Sequence, residues 1–409
     1  MKLRLPSLSL QVFLALVAGI LIGWLCPGAG SRLGVLSVLF LRMILVIVGP
    51  LVFCTLVVGI ADLERDTSFG RIVVRTAFYF LLLTGLALLL GFAVALIIRP
   101  GVGMLASEGK QGIQILQPPG QESFFIRLVP TSFFDAMVRG DVLQIVVCAV
   151  FLAVALRGVG SQGEPVLAFC RGLTALMFRV TGYIMAVAPL GVLGAAASVI
   201  GQHGVGVLAN YGKLVLAVGA GLLMLLLIVF PALAMIHGVH PILLLRSVKE
   251  ALIIAFGTAS SSAALPEAMS SLERVGLPRR TVSFVLSTGL TFNLAGTTLF
   301  MGVAALFIAQ AYQIRLSPGL LLQLFFTIFA LSRGTPTVPR GSLVFIAASL
   351  ESLGAPREIV AGGVGLLLGI DPLLDMARAA TNVAGNCLVV ALVAPRTNIG
   401  SPREGISTA

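Results

Sequence analysis

The sequence predicts an all-α membrane protein with eight transmembrane helices and two re-entrant helical hairpins. Three observations predict it: the composition, a series of long apolar runs, and two segments in which an apolar run breaks at Ser, Gly and Pro and then resumes. The 409 residues are 58% hydrophobic and only 11% charged. A soluble domain is roughly a quarter charged, so this chain lacks the polar surface to coat a soluble globule. Its 46 glycines fit membrane helices that approach one another closely. A low aromatic share of 7%, with no short alternating segments, argues against a membrane β-barrel.

Lys2 and Arg4 precede an apolar run from about Val12 to Leu25, in the manner of a signal peptide. More spans follow at once and no clean cleavage site appears, so this run reads as a first membrane helix. A spanning helix needs about 20 apolar residues. The candidate spans are about 10–26, 34–60, 73–98, 142–157, 166–200, 207–236, 281–312 and 360–394; the longer ones imply tilt. Residues 101–141 form the main polar connection. The net charge of +11 comes largely from arginines at the ends of apolar runs, which speaks for orientation in a bilayer rather than for nucleic acid. With the N-terminus cytoplasmic, Arg65, Arg71, Arg157, Arg246, Lys249, Arg274, Arg279, Arg280, Arg396 and Arg403 fall inside. Arg32, Arg99, Lys110, Arg315 and Arg357 fall outside. Five scattered cysteines without a CxxC read as small buried hydrophobes. Three histidines without HExxH or paired spacing give no sign of a metal enzyme.

Two segments break the pattern of simple spans. Residues 242–273 contain AFGTASSSAALPEAM, and residues 318–354 contain ALSRGTPTVPRGS. Each is an apolar arm, a polar break and a second arm. Non-helical backbone survives at membrane depth only where protein or a water-filled cavity satisfies it, so both read as hairpins whose tips meet mid-membrane. They also repeat: SLERVGLPRRTV (271–282) matches SLESLGAPREIV (349–360), and the same offset of 78 residues carries Asn293 onto Asp371. Interrupted segments at corresponding places in two halves point to the substrate site of a secondary transporter.

The last span places Asp371, Asp375, Arg378, Asn382 and Asn386 at spacings of 4, 3, 4 and 4. At about 100° per residue these lie near 0, 40, 340, 20 and 60°, one narrow stripe. An internally neutralised pair, Asp375 with Arg378, is the plain structural reading. Charge at bilayer depth is costly, however, which favours function. A guanidinium fork binds a carboxylate bidentately, and a carboxylate one turn away binds an ammonium. Together they describe an amino acid with an acidic side chain, whose other carboxylate would find donors at the serine-rich hairpin tips.

These residues resemble the dicarboxylate/amino acid:cation symporters, the family of prokaryotic aspartate and glutamate carriers and mammalian excitatory amino acid transporters. The motifs that carry the resemblance are SSSAALP (260–266), NLAGT (293–297), GTPTVP (334–339) and DPLLDMARAATNVAGN (371–386). The resemblance implies inverted repeats and a homotrimer of carriers working as elevators in the bacterial inner membrane. It implies scaffold helices in 1–70 and 101–200, and a transport domain made of 71–100 and 201–395. Residues 396–409 are then a cytoplasmic tail. The matching substrate positions are Ser261, Thr297, Val338, Asp375, Arg378 and Asn382. Arg378 would take the side-chain carboxylate and Asp375 the α-amino group, with Asn382 and the first tip on the α-carboxylate.

The chain also departs from that family. Sodium-coupled members carry aspartates where this chain has Ala295 and Asn386, and the segment 78–85 is poor in hydroxyls. With Asn293 and Asn382 alone the sodium sites are degenerate. The expectation is sodium-independent transport, proton-coupled or uncoupled, without metal or cofactor. Arg333, beside the second tip, is a candidate gate that visits Asp375 or the empty site in place of a cation; an interfacial arginine touching lipid headgroups is the plain alternative. Arg340 is likewise unusual at a gate tip and is expected to face water. Glu267 is a candidate proton carrier, against a solvated glutamate at a helix start. A C4-dicarboxylate carrier is the nearest rival function, and a sodium-coupled carrier with altered ion sites is another. A channel would need a continuous polar pore, and an intramembrane hydrolase a base beside Ser260, Ser261 or Ser262; the sequence shows neither. Substrate and membrane lipid are the expected partners, and nucleic acid is not.

Overall fold

The computed structural model describes residues 8–61, 70–104, 129–139, 142–334, 341–368 and 370–394. Val338 and Arg340 at the second tip, Arg65, and the segment 396–409 lie outside them, as does most of the polar connection. Among the described residues the regular elements are all helical: α1 (Leu8–Leu25), α2 (Pro27–Ala61), α3 (Gly70–Ile98), α4 (Phe133–Arg139), α5 (Val142–Val159), α6 (Glu164–Ala186), α7 (Ala188–His203) and α8 (Val207–Met224). There follow α9 (Phe230–Ile236), α10 (Pro241–Ser247), α11 (Lys249–Thr258), α12 (Leu265–Arg274), α13 (Arg279–Phe292), α14 (Ala295–Ala311), α15 (Pro318–Leu331), α16 (Gly341–Glu351), α17 (Arg357–Leu368) and α18 (Asp371–Val393). Five helical stretches among the described residues are long and apolar enough to cross a membrane: Gly70–Ile98, Gln144–Ala186, Val207–Ile236, Arg279–Ala311 and Leu373–Val393.

The span expected at 166–200 is two helices. α6 stops at Ala186 and α7 starts at Ala188, because Pro189 at the start of α7 has no N–H to continue the ladder of α6. Pro231 has a milder effect. A five-residue π-turn, Leu225–Val229, joins α8 to α9 just before it, widening the helix to accommodate the missing donor.

Both expected hairpins have helical arms on either side of their breaks. The first is α10 and α11, a turn at Ala259–Ala264, and α12. The second is α15, the 3₁₀ turn Ser332–Gly334, and α16. The repeat inferred from the sequence reappears in the backbone. α13 and α14 are separated by Asn293 and Leu294, which are in non-helical conformation. The residue 78 positions on from Asn293, Asp371, is the first residue of α18 beyond the gap that follows α17. Each hairpin is thus followed by two helices, and the two interruptions fall within about two residues of each other under that offset.

Packing sorts the helices into two groups. α2 lies along α7 and also meets α5 and α6, while α1 lies along α7. In the other group α14 is central, packing on α3, α8 and α18, with α11 and α13 also against α18. α14 is buried along nearly its whole length, including Phe300 and Phe307. Long polar side chains tie this second group together: Tyr211 donates to Leu366 O at 2.7 Å, and Gln310 donates to Ala95 O at 2.9 Å. Outer helices of both groups expose large apolar side chains, such as Phe13, Val46, Phe151 and Phe169 in the first and Phe78, Ile97 and Leu216 in the second. Such a surface suits contact with lipid or other membrane helices.

Candidate functional site

α18 carries the polar stripe into the second packing group. Asp371 is 0% exposed, Arg378 is 1%, and Asn382 and Asn386 are buried as well. Asp371 at the first position of α18 is favoured by the positive end of the helix dipole. One turn on, Asp375 keeps 17% of its side chain exposed.

Arg378 is held from three sides. Its Nη2 donates to Asp375 Oδ1 at 2.6 Å, its Nη1 lies 2.8 Å from Asp371 Oδ1, and its guanidinium carbon is 3.9 Å from the centroid of the Phe300 ring. The Asp371 contact is an ion pair off the N–H axis, since neither partner atom completes an aligned hydrogen bond. The three charges sum to −1 in a setting where each buried ion costs several kcal/mol to desolvate. Such a cluster retains unsatisfied bonding capacity, and Nε of Arg378 and both oxygens of Asp371 have no hydrogen-bond partner among the described residues.

The stripe continues into the break of the preceding helix. Asn382 Oδ1 accepts from the backbone N–H of Gly296 at 2.8 Å and of Thr297 at 3.2 Å, and its Nδ2 donates to Thr297 Oγ1 at 2.9 Å. Asn382 therefore caps α14 from another helix, satisfying donors that a helix N-terminus leaves free. Gly296 is required here: a Cβ would stand 2.9 Å from Arg378 O. Deeper in, Asn293 Nδ2 donates to Asn386 Oδ1 at 2.8 Å. Ala295 is fully buried beside them, so the side chains at this break carry no formal charge. Hard cations prefer anionic oxygen ligands, and the Asn293–Asn386 pair offers amides only.

At the first hairpin tip, Ser261 is buried and donates to Ala379 O at 3.3 Å, which docks the tip on α18. Ala259, one residue past α11, adopts a left-handed conformation with φ of 50°. The fold thus brings Ser261, Thr297, Asp375, Arg378 and Asn382 to one face of α18. Glu267 lies elsewhere. It accepts from Arg274 at 2.6 Å and from Ser271 at 3.0 Å in a partly exposed network on α12. Arg333 donates to Phe292 O at 2.7 Å, at the end of α13.

Two participants escaped the sequence argument. Asp371 was visible on the stripe, and its distance of seven residues from Arg378 could have marked it as a partner two turns away. Phe300 sits on a different helix, and no local pattern links it to a guanidinium.

A multi-pass helical protein with broken helices and a buried, charged, incompletely satisfied cluster at their junction belongs to the class of membrane transporters. A family model described as the sodium:dicarboxylate symporter family matches residues 8–396. The chain belongs to that family. It is similar to the proton/sodium-glutamate symport protein of Bacillus subtilis, with 34% identity covering 97% of this chain and 94% of the relative. It is 35% identical to the C4-dicarboxylate transport protein of Rhizobium etli, over 98% of this chain and 94% of the relative. With the proton/glutamate-aspartate symporter of Bacillus subtilis it shares 33% identity over 98% of this chain and 97% of the relative. The protein is a secondary transporter of the bacterial plasma membrane and not an enzyme.

Proposed function

We propose that the chain carries acidic amino acids, aspartate or glutamate, across the membrane without sodium, coupled to protons or uncoupled. The observation that carries this reading is the shared guanidinium. Asp371 is fully buried, whereas Asp375 keeps part of its side chain exposed, and in this reading Asp375 is the partner that moves. An incoming side-chain carboxylate takes the place of Asp375 on Nη2 of Arg378. The displaced Asp375 is then free to bind the substrate's ammonium. One carboxylate replaces another on Arg378, so the guanidinium is never left unpaired at depth. The neutral Asn293–Asn386 pair and the buried Ala295 support sodium independence.

A second reading, a C4-dicarboxylate carrier, is supported by the relative from Rhizobium etli. A substrate without an ammonium leaves the displaced Asp375 unpaired, and a proton on Asp375 would restore the balance. The two packing groups support division into a scaffold of α1, α2 and α4–α7 and a moving unit of α3 and α8–α18. They fit an elevator with the second hairpin as its gate. The homotrimer and the count of eight spans belong to the same proposal.

Uptake into liposomes, with and without sodium and with and without an inward proton gradient, tests the reading. Aspartate uptake in sodium-free buffer is the expected result. Strict dependence on sodium would refute it, and succinate outcompeting aspartate would favour the second reading.

A further inference from the structure

Arg333 presents an unused binding edge. Its Nη1 is anchored on Phe292 O at 2.7 Å, and its guanidinium carbon stands 4.9 Å from the centroid of the Phe329 ring. These two contacts fix the plane of the group and occupy one side of it. The other side consists of Nε and Nη2, both buried and both without a partner among the described residues. In arginine those two N–H bonds point in parallel, at a spacing that matches the two oxygens of a carboxylate. A buried cationic donor pair left empty is unfavourable, so the geometry calls for a planar, two-oxygen anion.

Among the described residues around the broken helices, Asp371 and Asp375 are ion-paired with Arg378, and Glu267 with Arg274. A substrate of the proposed class brings two carboxylates, of which Arg378 accounts for one. The donors expected for the other are largely committed. Asn382 uses its oxygen twice and its nitrogen once within the protein, and Ser261 donates to Ala379 O. Phe292, which anchors Arg333, and Gly296, which Asn382 caps, are four residues apart, so their Cα atoms are separated by roughly 14 Å at most.

We infer that Arg333 is a second carboxylate-binding residue, whose Nε–Nη2 edge receives the substrate carboxylate remote from Arg378. The inference rests on the proposed function, and its test separates the two.

Binding of succinate and of its monoamide, succinamate, is measured calorimetrically on the purified full chain in sodium-free buffer, with L-aspartate as reference. Arg333→Gln should weaken succinate at least tenfold, to the level of succinamate, while succinamate itself stays within twofold of wild type. Arg333→Lys keeps the charge but not the parallel edge, and should show the same selective loss to a smaller degree. An unchanged succinate affinity in folded Arg333→Gln, or an equal loss for both ligands in both variants, would overturn the assignment. Wild-type protein that binds neither succinate nor aspartate would overturn the functional reading, and this inference with it.

Discussion

The two hairpin-and-broken-helix units share a backbone plan and differ in charge. In the first unit the helix breaks at Asn293 and Leu294, and the polar side chains there, Asn293 and its partner Asn386, are neutral. In the second unit the helix resumes at Asp371 and carries Asp375 and Arg378 within two turns. The same device, a helix interrupted at depth, therefore serves two ends. One break is lined by amide pairing and a cross-helix cap, with a cation, Arg333, docked on the carbonyl of Phe292 beside it. The other keeps three ions in an unfinished cluster. The shared backbone plan therefore does not set the chemistry of a break; the charge of the side chains placed there does.

The largest expected effect comes from removing the shared cation. Arg378→Ala should abolish binding of acidic substrates, a loss of at least a hundredfold, or about 2.7 kcal/mol. It also leaves Asp371 and Asp375 buried without a counter-charge, with a stability loss of about 3–5 kcal/mol. Calorimetry and thermal unfolding check the two parts, and unchanged aspartate affinity would remove Arg378 from the site. Next comes an exchange of character between the units. Ala295→Asp combined with Asn386→Asp puts two carboxylates at the neutral break. Uptake by the double variant should become sodium-stimulated by about tenfold, the size of effect that one relieved charge interaction of about 1.4 kcal/mol produces. Uptake indifferent to sodium would show that carboxylates alone do not make the difference between the breaks.

A smaller effect is expected at the movable carboxylate. Asp375→Ser removes the partner of the ammonium but leaves Asp371 to hold Arg378. The ratio of aspartate to succinate affinity should fall about tenfold, near 1.4 kcal/mol, as read by competition binding; an unchanged ratio would dissociate Asp375 from the ammonium. The smallest effect is structural. A Cβ at position 289 would collide with the Asn386 side chain, so Gly289→Ala should destabilise the neutral break by about 1–3 kcal/mol. Thermal unfolding measures it, and an unshifted midpoint would mean that α13 and α18 can move apart at no cost.

Much of this arrangement was legible in the chain because its signals are local. The stripe of Asp371, Asp375, Arg378, Asn382 and Asn386 follows from helical periodicity, and all but Asp375 are buried in the structure. The offset of 78 residues carries Asn293, at the first break, onto Asp371, the first residue of α18. The span at 166–200 was misjudged although its cause, Pro189, is local too, because hydropathy continues smoothly through a proline. The partners of each polar group were not legible. Nothing in the local sequence tells that Asn382 caps α14 across 86 residues of sequence. Nor does the sequence tell that Arg333 rests on a backbone oxygen of α13.

Composition and periodicity by themselves determined that this chain lies in a membrane as helices, that two of those helices break, and which face of the last one is polar. These depend on residue spacing and on burial of apolar surface, which act over a few turns. Only the packing of α14, α18 and the hairpins decided that Arg378 is divided between a fully buried and a partly exposed carboxylate, that Phe300 lies against it, and that Arg333 rests on a backbone oxygen of α13. Hydrogen bonds and ion pairs are short-ranged and directional, so their partners are chosen by which helices meet, and a one-dimensional pattern carries no record of that choice.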